Sequence, residues 1–396
     1  MPEPAVTSTA SQSVAWSNLT SHLNEWFYKP DLEALRIIYA AVASHWLTGT
    51  DPVWPLVIAP PSSGKTSIAV GPLMCLENAF LIGDVTPKTF LSGKKGDKNS
   101  LLHRIGSSGF MIMKDFGTFL QKRDNDKNEV LSQLREIYDG DFGRQGGDGS
   151  TKPWSGKITI IAAATLAVDR SWTFQHDLGE RFTNIRWLSV YSREAGRFAC
   201  RQIDNGKEVK DETRRLVRAF FDARPRSIPP DLSNAQQEQI IDLSLFVARM
   251  RATVVRDSNG KRDIIEVGDP EGITRLHKTF STIARFHASL FGCPTCVGEA
   301  DIEIVKRVAI DSIRPSRWSF VRHIPFDGDI NRGDLQKATN LPSSTVGWIG
   351  DELEALGLIE HYNEAESGYT LSTVLRSILG ATNLHKYVPP NLEAIR

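Results

Sequence analysis

The sequence predicts an α/β fold with a parallel sheet covered on both faces, followed by a small separate C-terminal domain. Three observations carry this. The apolar runs at 53–58, 110–113 and 157–164 are continuous rather than alternating, as in strands buried on both sides. They alternate with helix-like stretches, the pattern of a parallel sheet with crossover helices. The last 70 or so residues read differently, as two helices around a tight turn followed by two short strands.

Length and composition leave room for such an arrangement. At 396 residues and 40% hydrophobic content, the chain suffices for two or three domains with a sizeable core. Lysine plus arginine equals aspartate plus glutamate at 47 each, so nucleic-acid or membrane contacts have to come from local patches. Four cysteines, at 75, 200, 293 and 296, are too few and too scattered for a disulfide framework and suit a reducing compartment. Apolar stretches stay below the roughly 18 residues of a membrane helix. The start lacks a basic block followed by an apolar one, so the expectation is a cytoplasmic protein with no membrane contact.

In chain order, residues 1–14, rich in Ala, Ser, Thr and Pro, read as a disordered tail, and 15–50 as a helical lead-in with Leu35, Ile38, Val42 and Trp46 at helical spacing. Residues 51–192 form the expected core: strand 53–58, a loop, a helix over 67–76, strand 79–82, and a basic loop holding Lys94, Lys95 and Lys98. A short helix at 100–105, strand 110–115, a helix over 129–138, a Gly-rich excursion at 139–156 and strand 157–164 complete it. The pattern over 193–320 is helical, clearest at 238–251 and 273–291, and reads as a lid. Residues 321–396 hold a helix at 332–339, a turn, a helix at 343–356 and a hairpin, the sequence of a winged helix-turn-helix.

The octapeptide APPSSGKT, Ala59 to Thr66, lies between a strand and a helix, which is the setting of a phosphate-binding loop. Pro61, Ser62, Ser63, Gly64, Lys65, Thr66 and Ser67 are its candidate binding residues. Lys65 is placed to reach terminal phosphates, and Thr66 with Asp115, at the end of a buried strand, to hold Mg2+. Thr165, closing strand 157–164, is placed to sense a γ-phosphate. The loop departs from the usual pattern in starting on Ala59 rather than Gly. Phe116 follows Asp115 where a water-polarising acid would stand; Glu136, Asp139 and Asp141 are the nearby acids, and the sequence alone puts none within reach of a base's task.

Taken in order, Lys65, Asp115, Thr165 and the LGERF run at 178–182 resemble the Walker A, Walker B, sensor 1 and arginine-finger motifs of AAA+ P-loop ATPases. The segment 133–157 resembles the pre-sensor-1 hairpin of the MCM-like branch, in particular its small phage and mobile-element ATPases. This resemblance implies ATP and Mg2+ as ligands and a homo-oligomeric ring, six subunits by family habit. It also implies Arg181 acting in trans, on a neighbouring subunit's phosphates, and Arg275 as the sensor 2 residue with Arg285 as the alternative.

In the MCM-like relatives the hairpin contacts DNA, so Arg144, Lys152, Trp154 and Lys157 become candidates for single-stranded or forked DNA, the cations tracking phosphates and the indole stacking on a base. The plainer reading of Trp154 is an anchor fixing the hairpin to the core. Residues 325–396 carry ten acids against five Lys/Arg, which weakens DNA contact there and leaves a protein partner for the winged helix. Cys293 and Cys296, with His287 upstream, have the spacing of half a zinc site, but no second pair follows, and buried thiols are the expectation. The implied function is a helicase-like motor in replication of a phage or mobile element. The alternative is a nucleotide-gated initiator or scaffold with weak hydrolysis, which the missing acid after Asp115 favours. A third reading is a protein-remodelling ATPase of the same fold.

Overall fold

The computed structural model describes residues 6–90, 100–120, 122–145, 151–170, 181–257, 263–362 and 368–387. Contacts divide the chain into two units, one of Met1–Asp231, Thr282–Ile304 and Asn391–Arg396, the other of Leu232–Ser281 and Val305–Pro390. Among the described residues no helix is long and apolar enough to cross a membrane.

The first unit is built on a five-stranded parallel sheet. Its strands are β1 (Trp54–Ile58), β2 (Ala79–Ile82), β3 (Ser108–Met113), β6 (Lys157–Ala164) and β7 (Phe182–Arg186), in the order β2-β3-β6-β1-β7. Every residue of β1, and 158–164 of β6, is buried, which is why these runs are apolar without alternation. The connection leaving β1 runs toward one edge of the sheet, whereas those leaving β2, β3 and β6 run toward the other. For crossovers of fixed hand these cover opposite faces, so a crevice opens at the carboxyl ends of β1 and β6.

The short helix α3 (Leu101–Ile105) leads into β3, and between β3 and β6 the chain forms helices α4 (Gly117–Leu120) and α5 (Asp124–Asp139) and the antiparallel hairpin β4 (Asp141–Gln145) and β5 (Thr151–Ser155). Gly140 ends α5 in the left-handed region at φ 91°, where a Cβ would be strained. Gly156 joins the hairpin to β6, and a Cβ there would lie 2.3 Å from the Ser107 carbonyl oxygen. The hairpin is therefore seated tightly on the amino-terminal edge of the sheet.

Helices α1 (Val6–Trp26) and α2 (Leu32–Ala43) precede the sheet, and α6 (Arg193–Arg201) and α7 (Gly206–Asp222) follow it. The first helix begins at Val6, so 6–14 is helical rather than the expected tail: no proline interrupts the run after Pro4. The helix expected over 67–76 is also different. A wide π-turn covers Lys65–Val70 and a 3-10 turn covers Gly71–Cys75, because Pro72 has no amide to donate and its ring opposes a regular helix. Gly71 closes the wide turn with an N–H bond to the Thr66 carbonyl, and a Cβ there would stand 2.5 Å from that oxygen.

In the second unit α8 (Asn234–Arg251) starts with a full capping box of Ser233 and Gln236. After the short hairpin β8 (Val254–Arg256) and β9 (Ile264–Val267) come α9 (Thr274–Phe291) and α10 (Glu299–Asp311), each divided between the units. The segment 193–320, expected as one lid, is thus split. Then follow α11 (Pro315–Arg322), β10 (Asp329–Asn331), α12 (Arg332–Thr339), α13 (Ser343–Ala355), β11 (Ile359–Tyr362), β12 (Gly368–Leu371) and α14 (Thr373–Thr382), with an antiparallel sheet in the order β10-β12-β11. Arg317, 1% exposed, donates to the Met250 and Ala252 carbonyls at 2.9 and 2.8 Å and pairs with Glu352 at 2.8 Å, tying the end of α8 to α13.

At the amino edge of the first unit's sheet sits a buried histidine. His45 bonds through its two ring nitrogens to Thr159 and Ser108 hydroxyls at 3.0 and 2.9 Å and packs on Phe110. Burial first, and the Lys157 charge second, lower its pKa from 6.5 to about 4. The folded chain therefore binds fewer protons at this site than the unfolded chain between those two values, and stability is present above pH 6.5 and lost as pH falls through the window. The loss amounts to about 3 kcal/mol. Denaturant midpoints across this range should fall less steeply in His45→Gln than in the wild type; equal slopes would refute the assignment.

Candidate functional site

Three strand ends converge at the carboxyl edge of the sheet, and backbone hydrogen bonds stitch them together. The Ala59 amide donates to the Ala164 carbonyl at 3.2 Å and the Phe116 amide to the Ala163 carbonyl at 2.7 Å. The loop after β1, Asp115 after β3 and Thr165 after β6 are thereby neighbours along one edge, with β6 between the other two strands. Ala162, Ala163 and Ala164 close β6 with small side chains, which leaves the space above it to its neighbours.

The loop itself is held in an unusual backbone. Ser62 and Gly64 have φ of 59° and 84°, so successive amides turn toward one concavity rather than along a strand. The short, irregular turns that follow give only a weak helix dipole. Trp187, one residue beyond β7, braces the loop: its amide donates to the Ile58 carbonyl at 2.9 Å and its indole N–H to the Ser63 carbonyl at 3.1 Å. Trp187 is an addition to the expected residues, and no fixed offset from the loop motif points to it.

Lys65 is 8% exposed, and its Nζ donates to the Ala59 and Pro60 carbonyls at 3.1 and 3.0 Å. Its ammonium thus lies across its own loop. Burial pulls its pKa down while the Asp115 charge opposes this, so the two motif residues are electrostatically coupled. Asp115 is exposed and accepts from the Gly117 amide at 2.9 Å. Phe116, 1% exposed, turns into the core against the rings of Phe119 and Phe182, both at 5.1 Å. The position after Asp115 therefore faces inward, where a carboxylate would be buried.

Beside the loop lies a cleft of about 260 Å³ lined by Ser62, Ser63, Gly64, Phe27, Tyr28 and Phe198, among others. Tyr28 and Phe198 have ring centroids 5.5 Å apart. Asp31, which follows the lining residue Pro30, accepts from the Ala34 amide at the start of α2 at 3.0 Å and from the amide of the lining residue Leu188 at 2.9 Å. A polar loop on one side and aromatic faces on the other suit a ligand with an anionic tail and a flat ring. Phe198 is remote in sequence from the adjacent Phe27 and Tyr28, and only the fold collects them.

Helix α6 has two faces. Ala195, Phe198 and Ala199 line the cleft, while Arg193 and Arg197, four residues apart, are exposed on the other side, and the Arg201 guanidinium lies over the Phe198 ring at 4.6 Å. Tyr191, just before the helix, is fully exposed. The spacing of these arginines is legible in the sequence.

Several expected site residues are elsewhere. Arg181 precedes Phe182, which pairs with Trp54, so about 13 Å of strand separates it from the loop beyond Ile58. Its guanidinium, 8% exposed, pairs with Asp139 at 3.0 Å and lies over the Tyr138 ring. It is thus engaged within its own chain rather than presented to a neighbour, which corrects the trans assignment; residues 178–180 of its motif lie outside the described residues. Asp139 and Asp141, and Glu136 in the last turn of α5, belong to this amino edge, away from the loop, so none of the three is the missing base.

The hairpin residues also divide. Trp154, 6% exposed, donates its indole N–H to the Gly106 carbonyl at 2.7 Å and is an anchor, not a base-stacking residue. Lys157 donates to the Ser44 and Leu47 carbonyls and the Thr50 hydroxyl at 3.0, 2.9 and 3.0 Å, and burial lowers its pKa to about 8. It is structural as well. Arg144 and Lys152 stand opposite each other in the β4–β5 register, with their side chains outside the described residues, as is the basic loop of Lys94, Lys95 and Lys98. Arg275 lies in the first turn of α9 in the second unit. Arg285 donates to the Pro229 and Pro230 carbonyls and pairs with Asp231 at 2.8 Å, which is a structural use.

No known protein-family model matches the chain, and no curated protein matches it. Because the Trp187 indole braces the loop through one bond, Trp187→Phe should cost about 1 kcal/mol of unfolding free energy. Chemical denaturation measures this, and an unchanged midpoint would show the brace to be idle.

Proposed function

We propose that this chain is a P-loop ATPase of AAA+ type that binds ATP with Mg2+ at the carboxyl edge of its sheet, hydrolyses it slowly, and uses its occupancy to control engagement of DNA. The observation that carries the reading is the stitched edge, where a left-handed loop, Lys65, Asp115 and Thr165 meet beside an aromatic cleft. In this reading the loop amides of Ser62–Gly64 and Lys65 hold the phosphates. Thr66 and Asp115 hold Mg2+, Thr165 senses the γ-phosphate, and the cleft takes the base. On binding, phosphate oxygens would replace the two carbonyls that Lys65 now contacts.

Slow hydrolysis is supported by two features. Phe116 is core, and Glu136, Asp139 and Asp141 stand at the opposite edge, so none of these positions supplies a general base beside Asp115. A nucleotide-gated initiator or scaffold is therefore favoured over a fast motor. The motor reading keeps one support, the β4–β5 hairpin inserted between the Asp115 strand and the Thr165 strand, as the resemblance requires. Ring assembly, six-fold by the same resemblance, would need a trans-acting cation other than Arg181. Beyond the sheet, α11, β10, α12, α13, β11 and β12 support a winged helix-turn-helix, and its acidic composition suits a protein partner. For DNA, the exposed arginine face of α6 with Tyr191 supports contact with a single strand, cations along the backbone and a ring for a base.

Calorimetric titration should detect ATP–Mg2+ binding to the wild type and a loss of at least about tenfold in Lys65→Ala. Absence of uptake by the wild type would sink the reading. Turnover measured with and without single-stranded DNA separates the two versions, since strong stimulation belongs to a motor and its absence to a gated scaffold. The double variant Arg193→Glu, Arg197→Glu should weaken single-stranded DNA binding about tenfold and flatten its salt dependence, leaving ATP affinity in place.

A further inference from the structure

The connection between α9 and α10 carries Cys293, Pro294, Thr295 and Cys296 in a tight turn, in which the Cys296 amide bonds to the Cys293 carbonyl at 3.4 Å. Proline at the second position presets the φ that such a turn needs. A turn of this kind holds its first and fourth Cα atoms within about 7 Å, the range over which a disulfide closes without moving the backbone. Cys293 is partly exposed and Cys296 exposed, in contrast to the buried thiols the sequence led us to expect. The Cys293 sulfur lies 3.1 Å from the Thr295 hydroxyl.

The turn is fixed from the side of α10. Asp301 accepts from the Gly298 amide at 2.7 Å through Oδ2 and bonds His287 Nδ1 at 2.5 Å through Oδ1, which ties the connection back to α9. The hydrogen bond to Cys293 first, then burial and the Cys293 charge, disfavour the Cys296 thiolate, and the Asp301 charge adds to this. The two thiols therefore differ. Hydrogen bonds from Cys296 and Thr295 bring the Cys293 thiol down to about 7, whereas Cys296 is raised.

We propose that Cys293 and Cys296 form a reversible dithiol–disulfide pair that exchanges with small-molecule disulfides. The Cys293 thiolate attacks one sulfur of R–S–S–R, forming a mixed disulfide and expelling R–S−, which takes up a proton. The Cys296 thiolate then attacks Cys293 Sγ, closing the intrachain bond and expelling the second R–S−. The two protein thiols lose two electrons and two protons, and the small disulfide leaves as two thiols. The other cysteines provide internal references: Cys75 is partly buried with its thiol pushed up to about 11 by burial, and Cys200 is exposed and outside any such turn.

Limiting alkylation of the full-length protein at neutral pH, read by peptide mass, should label Cys293 about tenfold faster than Cys200, with Cys75 slower again. Incubation with oxidised glutathione should make the wild type lighter by two hydrogens, with 293 and 296 joined, and added reductant should restore it. Cys296→Ser should instead stop at a glutathione adduct on Cys293. Equal labelling of Cys293 and Cys200, or a wild type that keeps the adduct and never closes the bond, would overturn the proposal.

Discussion

The parallel hydrogen bonding of β6 between β1 and β3 is the constraint on which the rest depends. It fixes Leu56 opposite Ala162 and Met113 opposite Ala162 from the other side, so the three chain segments leaving these strands emerge together. A slip of one residue would turn every buried side chain of β6 to the opposite face, and the apolar run from Ile158 onward tolerates that poorly at a site packed on both sides. The Ala59–Ala164 and Phe116–Ala163 bonds then extend the same register past the strands into the loops. The candidate site is in that sense the continuation of the sheet.

The two edges of this sheet use charge in different ways. At the carboxyl edge Lys65 is buried but held only by carbonyls of its own loop, partners an anionic ligand can replace. At the amino edge the charged groups are committed. Arg181 is held by Asp139, Lys157 by three oxygens of the segment before β1, and His45 is kept neutral between two hydroxyls. A buried cation with fixed partners costs much to withdraw, since the group left behind is desolvated and unpaired. The positions that look most functional next to the LGERF run and the hairpin therefore serve to seat the hairpin and β7.

What was legible in the sequence follows from locality. Continuous apolar runs gave the parallel strands, and with them the positions of Lys65 beyond β1 and of Asp115 and Thr165 just past β3 and β6. The two helices and two antiparallel strands expected in the C-terminal region also appear near their expected bounds, at α12, α13, β11 and β12. The start of α1 and the π-turn after the loop were missed because a composition-based tail and a generic helix leave out the local roles of Pro4, Gly71 and Pro72.

Spacing and periodicity are properties of a chain read in order, and so the sequence by itself determined the parallel sheet, the loop that leaves β1 and the acid just past the end of β3. Only the tertiary structure decided what each polar residue does once buried. It sent Phe116 to the core, locked Arg181 on Asp139, made Trp154 an anchor, and brought Phe27, Tyr28, Trp187 and Phe198 around one cleft. These roles depend on partners dozens of residues away, whose distance is set by packing and hydrogen-bond satisfaction rather than by any pattern along the chain.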